Sequence, residues 1–248
     1  MNYIDIQPHD GWYDCAIEDF CDNILPHLGL DVSYKDVAFT GFWSQGDGAS
    51  FKGSFNLSDV SLTDLQAACP TEVALHKLAA ELQVLAEAHP NIHGQVSRMS
   101  SNYSHSNTMI IGDYMGDNGY CNEDSEAFAA ADAEASLLRI FRELADWLYN
   151  RLNEDYDFYL ADATASQWAE AIEERKLAQD ELDQLQADVA ANPPQSLIQS
   201  NALTVAIAAL EVEVETFTSK IDQLSDQFSF WPKDNGPLGI EQFYEDYC

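Results

Sequence analysis

The chain has 248 residues, 46% of them hydrophobic, and its 43 acidic and 11 basic side chains give a formal net charge of −32. That hydrophobic share is ordinary for a packed core and argues against disorder. The charge argues against unassisted binding to DNA, RNA or an anionic membrane, each of which would repel it, and favours a protein partner with a basic surface; the alternative is that the acidity only aids solubility or reflects a salty habitat. Residues 1–160 carry a net −19 and residues 161–248 a net −13, so the acidity is spread rather than gathered in a tail.

Five cysteines stand at 15, 21, 69, 121 and 248, an odd number with no C-x-x-C pair. Reduced cytosolic thiols are the simplest account. The N-terminal MNYIDIQPHDGWYDC is acidic and lacks an apolar core, unlike a signal peptide. No uninterrupted apolar run approaches the ~18 residues of a membrane span, so no membrane segment is expected.

Trp12 to Leu28 carries Ala16, Ile17, Phe20, Ile24 and Leu28 near helical spacing and reads as a first helix, with Pro26 and Gly29 at its end. Alternation in Val37–Phe42 and again in Ser50–Leu57 reads as a β-hairpin, with Gly46-Asp47-Gly48 at the tip. Pro70 and Thr71 open a second helix with Leu75, Leu78, Leu82 and Leu85 on one stripe, stopped by His89-Pro90-Asn91. Two strands follow, about 93–101 and 106–113, joined by a turn at Ser104–Asn107. Gly112–Ser125 reads as loop. A third helix, about Glu126 to Asn153, is apolar on most sides and is expected to be the buried helix of the fold. The order predicts an α+β domain over 1–163: an antiparallel four-stranded sheet made of two hairpins, packed with three helices.

From Trp168 the pattern changes. Trp168, Ile172, Arg175, Ala178, Leu182, Leu185 and Val189 step by threes and fours until Asn192-Pro193-Pro194 breaks the helix. Leu203, Ile207, Leu210, Val214, Phe217, Ile221, Leu224 and Phe228 then step four-three without exception. So short a break predicts an antiparallel coiled-coil hairpin over 164–230, followed by an aromatic and acidic tail over 231–248. Val205, Ala208 and Val212 lie off the main seam and suggest a second contact surface, such as a homodimer would use. The hairpin carries a net −9 between residues 165 and 228, far sparser than the ~1.7 Å charge spacing of duplex DNA. Alone it would be only a partial nucleic-acid mimic.

The residues offer little catalytic chemistry. Ser44 in Phe42-Trp43-Ser44-Gln45-Gly46 lacks the first glycine of a nucleophile elbow and sits between strands, not before a helix. Asp113, Asp117, Asn118, Asn122, Glu123 and Asp124 crowd one loop, but Met115 occupies a required calcium-ligand position. The six histidines show no H-E-x-x-H pairing, so no zinc site is read. Gly46-Asp47-Gly48 leads into a strand and is acidic at its centre, which disfavours a phosphate cradle. No cofactor and no metal are expected. Trp43, Ser44, Gln45 and Asp47 read as a recognition tip, the alternative being that Phe42, Trp43, Phe51 and Phe55 pack the core and Asp47-Gly48 only makes the turn.

Phe39-Thr40-Gly41-Phe42-Trp43-Ser44-Gln45-Gly46-Asp47-Gly48-Ala49-Ser50-Phe51, followed by Gly53, resembles a segment of small acidic proteins encoded by tailed bacteriophages and prophages. The likeness covers about residues 10–175 and includes Tyr103, His105, Ser106 and Asp146-Trp147-Leu148-Tyr149. Members of that group are sometimes labelled antitoxin-like, and no catalytic residues carry over. The resemblance implies a protein working in the cytoplasm of an infected bacterium. With the charge, it leads to the expectation of an inhibitor binding a host nucleic-acid-processing or defence complex, of the anti-restriction or anti-CRISPR type. The expected contacts are Glu170, Glu173, Glu174, Asp180, Glu181, Asp183, Glu211, Glu213 and Glu215, with no direct nucleic-acid or membrane binding. The alternatives are an antitoxin-like or scaffolding protein holding one partner, and an enzyme built on the Ser44–Asp47 tip and His105.

Overall fold

The computed structural model describes residues 7–42, 44, 46–99, 104–115 and 126–229. It divides into two compact units, Gly11–Asp155 and a second made of Met1–Asp10 with Tyr156–Cys248. Trp43, Gln45, the acidic loop residues 117–124 and the tail over 231–248 lie outside the described residues.

In the Gly11–Asp155 unit, helix α1 (Asp14–Asp19) widens into a π turn at Phe20–Ile24 and then tightens into a 3-10 turn at Leu25–His27. Pro26 supplies the cause. It has no N–H to offer the carbonyl four residues back, so the last turn is wound to a different pitch. Leu25 N–H reaches back five residues to the Phe20 carbonyl. Of the predicted stripe, Ile17, Phe20, Ile24 and Leu28 are buried and Ala16 is half-buried.

Strand β1 (Leu28–Asp31) follows at once, and here the predicted sheet needs correction. The hairpin of β2 (Val37–Thr40) and β3 (Gly48–Phe51) exists, with Val37 opposite Phe51 and Thr40 opposite Gly48, but it is a separate two-stranded sheet. The chain breaks at Lys52, whose N–H goes to the Asp36 carbonyl at 3.1 Å, and resumes as β4 (Gly53–Val60). The predicted second arm is therefore two strands serving two sheets. The four-stranded sheet has the order β1-β4-β5-β6, all antiparallel, where β5 is His93–Arg98 and β6 is Met109–Met115. β1 takes the place expected of the first hairpin. It is too short to show a period, and it contains Gly29 at φ +67° beside a register shift against β4. A side chain there would place its Cβ 2.3 Å from the Asn56 carbonyl oxygen, so only glycine lets the strands close.

Helix α2 (Leu62–Ala68) has no counterpart in the predicted order. Ser61 caps it, its Oγ accepting the Asp64 N–H at 3.3 Å. Helix α3 (Val73–Ala88) is the predicted leucine helix, with Leu75, Leu78 and Leu82 buried. Helix α4 runs unbroken over Glu126–Ala191, where two separate helices were expected. Its first half is the buried helix of this unit. Leu137, Ile140, Phe141, Leu144, Ala145, Leu148 and Leu152 are all buried, and the Phe141 ring meets Phe51 and Phe55 edge-on.

In the other unit, α4 continues to Ala191, the chain turns at Asn192-Pro193-Pro194, and α5 (Leu197–Ser229) returns. The arms pack antiparallel: Ala161, Ala165 and Trp168 form one buried cluster with Leu224 and Phe228. Toward the turn the α5 seam of Leu203, Ile207, Leu210, Val214 and Phe217 is only half-buried. Arg175, placed on the seam by spacing, is exposed, and Ala171 is buried instead. A permanently charged guanidinium keeps its head in water whatever the register of its backbone.

Candidate functional site

The hairpin tip is held by its own turn. Asp47 Oδ2 accepts the Ser44 N–H at 2.5 Å, and the Asp47 N–H donates back to the Ser44 carbonyl at 3.1 Å. Gly46 sits at φ +102°, which closes the loop without strain. Tyr149, on α4, donates its hydroxyl to the Gly41 carbonyl at 2.9 Å. Burial first, and then the charge of Asp47, push that hydroxyl's pKa up. Gly48 lies directly under His105: a Cβ on it would be 3.0 Å from His105 Cα. The His105 Nδ1 accepts the Asn107 N–H at 3.0 Å. Of the predicted recognition tip, Ser44 is exposed and Asp47 serves the turn, while Trp43 and Gln45 are outside the described residues.

Around the tip stands a patch that sequence reasoning did not assemble. Trp12, Tyr13, Phe39, Phe42 and Tyr149 are all half-buried. Phe39 meets Tyr13 at 5.2 Å and Trp12 at 5.9 Å between ring centroids, and Phe42 stacks on Tyr149 at 5.3 Å. The signal was present in the strand alternation, which puts Phe39 on the face opposite to Thr40. Nothing local in the sequence joins it to Trp12 or Tyr149, however.

Cys21 lines an open groove of about 430 Å³ with Pro26, Leu30, Asp31, Phe55 and Asp59. Burial and then the charges of Asp22 and Asp36 push its thiol up to about 11, so at neutral pH it stays protonated and is a poor nucleophile. Among the described residues, no three His, Cys, Asp or Glu side chains converge to hold a metal.

The helical arms present the carboxylates. Glu170, Glu173, Asp180, Glu181, Asp183, Glu211, Glu213 and Glu215 are exposed. Glu174 is half-buried and lies 3.9 Å from Lys220. Asp183 accepts from Gln179 at 2.8 Å. On α4 the spacing of Glu170, Glu173, Glu174, Asp180 and Glu181 puts them on one side of the helix, alongside the buried line of Ala171, Ala178 and Leu182, with Glu174 nearest to it. Glu211 and Glu215 share a second stripe, one turn apart on α5. Asp183 and Glu213 stand off these stripes. On the side of α5 turned away from its inward seam, Ile198, Val205 and Val212 are largely exposed. By length and composition α5 could cross a membrane, since an 18-residue window within it has a mean hydropathy of 1.4 and none of it is buried.

Residues 12–162 match the family model of a domain of unknown function, DUF8835. The chain belongs to that family. No curated protein and no solved structure matches it. The DUF8835 region nearly coincides with the Gly11–Asp155 unit and contains the tip, the aromatic patch and His105. All nine candidate carboxylates lie beyond its end.

Proposed function

We propose that the chain is a binding protein rather than an enzyme, a phage-derived acidic inhibitor acting in the cytoplasm of the infected bacterium. Its target is a host nucleic-acid-processing or defence complex with a basic groove, of the anti-restriction or anti-CRISPR type. One observation carries the reading. Among the described residues, eight of the nine predicted carboxylates are exposed and paired with no Lys or Arg, so their charge is available to a partner. The two arms wind as an antiparallel coiled coil and act as a stiff carrier of the acidic stripes. Helix α5, at 33 residues, is about 50 Å long, so the hairpin's net −9 amounts to about one charge per 5–6 Å against ~1.7 Å in duplex DNA. The mimicry is partial, and it steers association more than it replaces a duplex.

The test compares wild type with two grouped variants, E170Q/E173Q/E181Q and E211Q/E215Q, as tagged bait in bacterial lysate at low and high salt. The expected result is a basic nucleic-acid-binding complex held at low salt, released at high salt and lost from both variants. Retention unchanged in the variants removes the proposal. The exposed Ile198, Val205 and Val212 favour a second reading, an antitoxin-like or scaffolding protein that holds one partner through apolar contact. That reading expects capture that is insensitive to salt and to both grouped variants.

A further inference from the structure

Helix α5 carries two heptad seams. The first, Leu203 through Phe228, turns inward to α4. The second consists of Ile198, Val205 and Val212, seven residues apart, with Ala202 and Ala209 between them. Ile198 is 83% exposed, Val205 69% and Val212 63%, and both alanines are exposed. In a chain of net charge −32, Leu197–Leu210 contains no Asp, Glu, Lys or Arg. A solvated helix face ordinarily carries charge, and an exposed heptad seam is the sequence of a helix–helix contact.

We infer that this second seam binds the same seam of a second copy, antiparallel, about a two-fold axis at Val205. In that register Val205 meets Val205, Ile198 meets Val212, and each Ala202 and Ala209 lies between apolar residues of the other helix. The alanines let the backbones approach closely.

Charge complementarity selects the direction. Antiparallel pairing lays Glu211, Glu213 and Glu215 of one helix against residues 195–199 of the other. That segment is uncharged and leads into the N-terminal end of α5, where the dipole is positive although Gln199 Oε1 and Ser196 Oγ already accept the Gln195 and Gln199 N–H groups. Parallel pairing would instead align these glutamates, and Asp222 and Asp226 after them, with their own copies. The contact is modest. Seventeen residues of overlap span about 25 Å, and two such faces bury on the order of 1,000 Å², near the lower limit for a specific interface. The association is therefore concentration-dependent rather than obligate.

The experiment uses the full chain in sedimentation velocity from about 1 to 200 µM, beside Val205→Glu. The expected wild-type species at high concentration has twice the 27.6 kDa chain mass. Burying unpaired glutamates at the axis weakens dimerisation by at least roughly 100-fold while helix content by circular dichroism is unchanged. Bismaleimide cross-linking, read as cross-linked peptides by mass spectrometry, then fixes the direction. Val205→Cys links to itself, whereas Ile198→Cys and Val212→Cys link only to each other. Self-linking at all three positions overturns the antiparallel register. A monomer at 200 µM, or a dimer indifferent to Val205→Glu, overturns the seam, as does a monomer that floats with phosphatidylcholine vesicles through the same residues.

Discussion

The two units are held together by different kinds of side chain. In Gly11–Asp155 the core is large and aromatic: Phe20, Phe51, Phe55 and Phe141 are buried together, and leucines from α3, β4 and α4 close around them. From Tyr156 onward the buried cluster is narrow: Ala161 and Ala165 give close helix approach, Trp168, Leu224 and Phe228 supply its bulk, and Ala171, Ala178 and Leu182 are buried further along α4. Burial scales with apolar area, so the first unit draws its stability from depth. The second draws it from the length of a two-helix contact that is only half-buried toward the turn. A face that is never fully covered is also free to meet a partner, which links the thin core of the arms to the binding role proposed for them.

The largest expected effect tests that contrast directly. Phe141→Ala removes a fully buried ring that touches Phe51 and Phe55 and is expected to cost about 3–5 kcal/mol. Hydrogen exchange should then speed up in β4 and β5 while α5 amides keep their protection. Loss of protection in α5 to the same degree would show that the units unfold as one, and the comparison would fail. Leu224→Ala is the converse. It opens the cluster of Trp168 and Phe228 and should cost about 2–4 kcal/mol, read in α5 amides with β4 unaffected.

Long apolar periods were legible in the sequence, and short elements were not. The stripe of α3 and the four-three seam of α5 repeat often enough to fix their faces, and the buried residues Leu75, Leu82, Leu224 and Phe228 were all on the expected stripes. β1 was missed because four residues with a left-handed Gly29 have no period to detect. The join through residues 154–167 of α4 was missed for another reason. Its buried positions are Ala161, Thr164 and Ala165, small residues that a search for large apolar spacing passes over. The carboxylates of the arms were legible as charges, but which of them share a face was not, because that depends on the register of the two arms. The aromatic patch was not, because Trp12, Phe39 and Tyr149 are brought together only by tertiary packing.

A smaller effect sharpens the role of that patch. Tyr149→Phe keeps the ring on Phe42 but removes the hydroxyl that holds the Gly41 carbonyl, at an expected cost of about 0.5–1.5 kcal/mol. If the tip is a recognition surface set by this anchor, partner binding should weaken by more than the stability change alone explains. If binding and stability move together, the patch is core and the tip is only a turn.

The smallest effect concerns charge inside the second unit. Burial pushes the Asp157 carboxyl above its ordinary value, so its ionised form is disfavoured in the folded state. Below the unfolded pKa of about 3.9 both states are protonated, and the group costs the fold nothing. As pH rises through the raised folded value, the unfolded chain gives up its proton first, and stability is lost. Asp157→Asn removes that loss without changing shape. Its melting temperature should exceed wild type at pH 8, with the gap closing as pH falls toward the unfolded pKa. Salt separates this local effect from the general repulsion of a −32 chain: raising ionic strength screens exposed carboxylates strongly and buried ones weakly. Wild type and variant should therefore both gain stability in salt, with their difference preserved. A difference that vanishes in salt would mean that Asp157 acts through the field of the surrounding carboxylates rather than through its own desolvation.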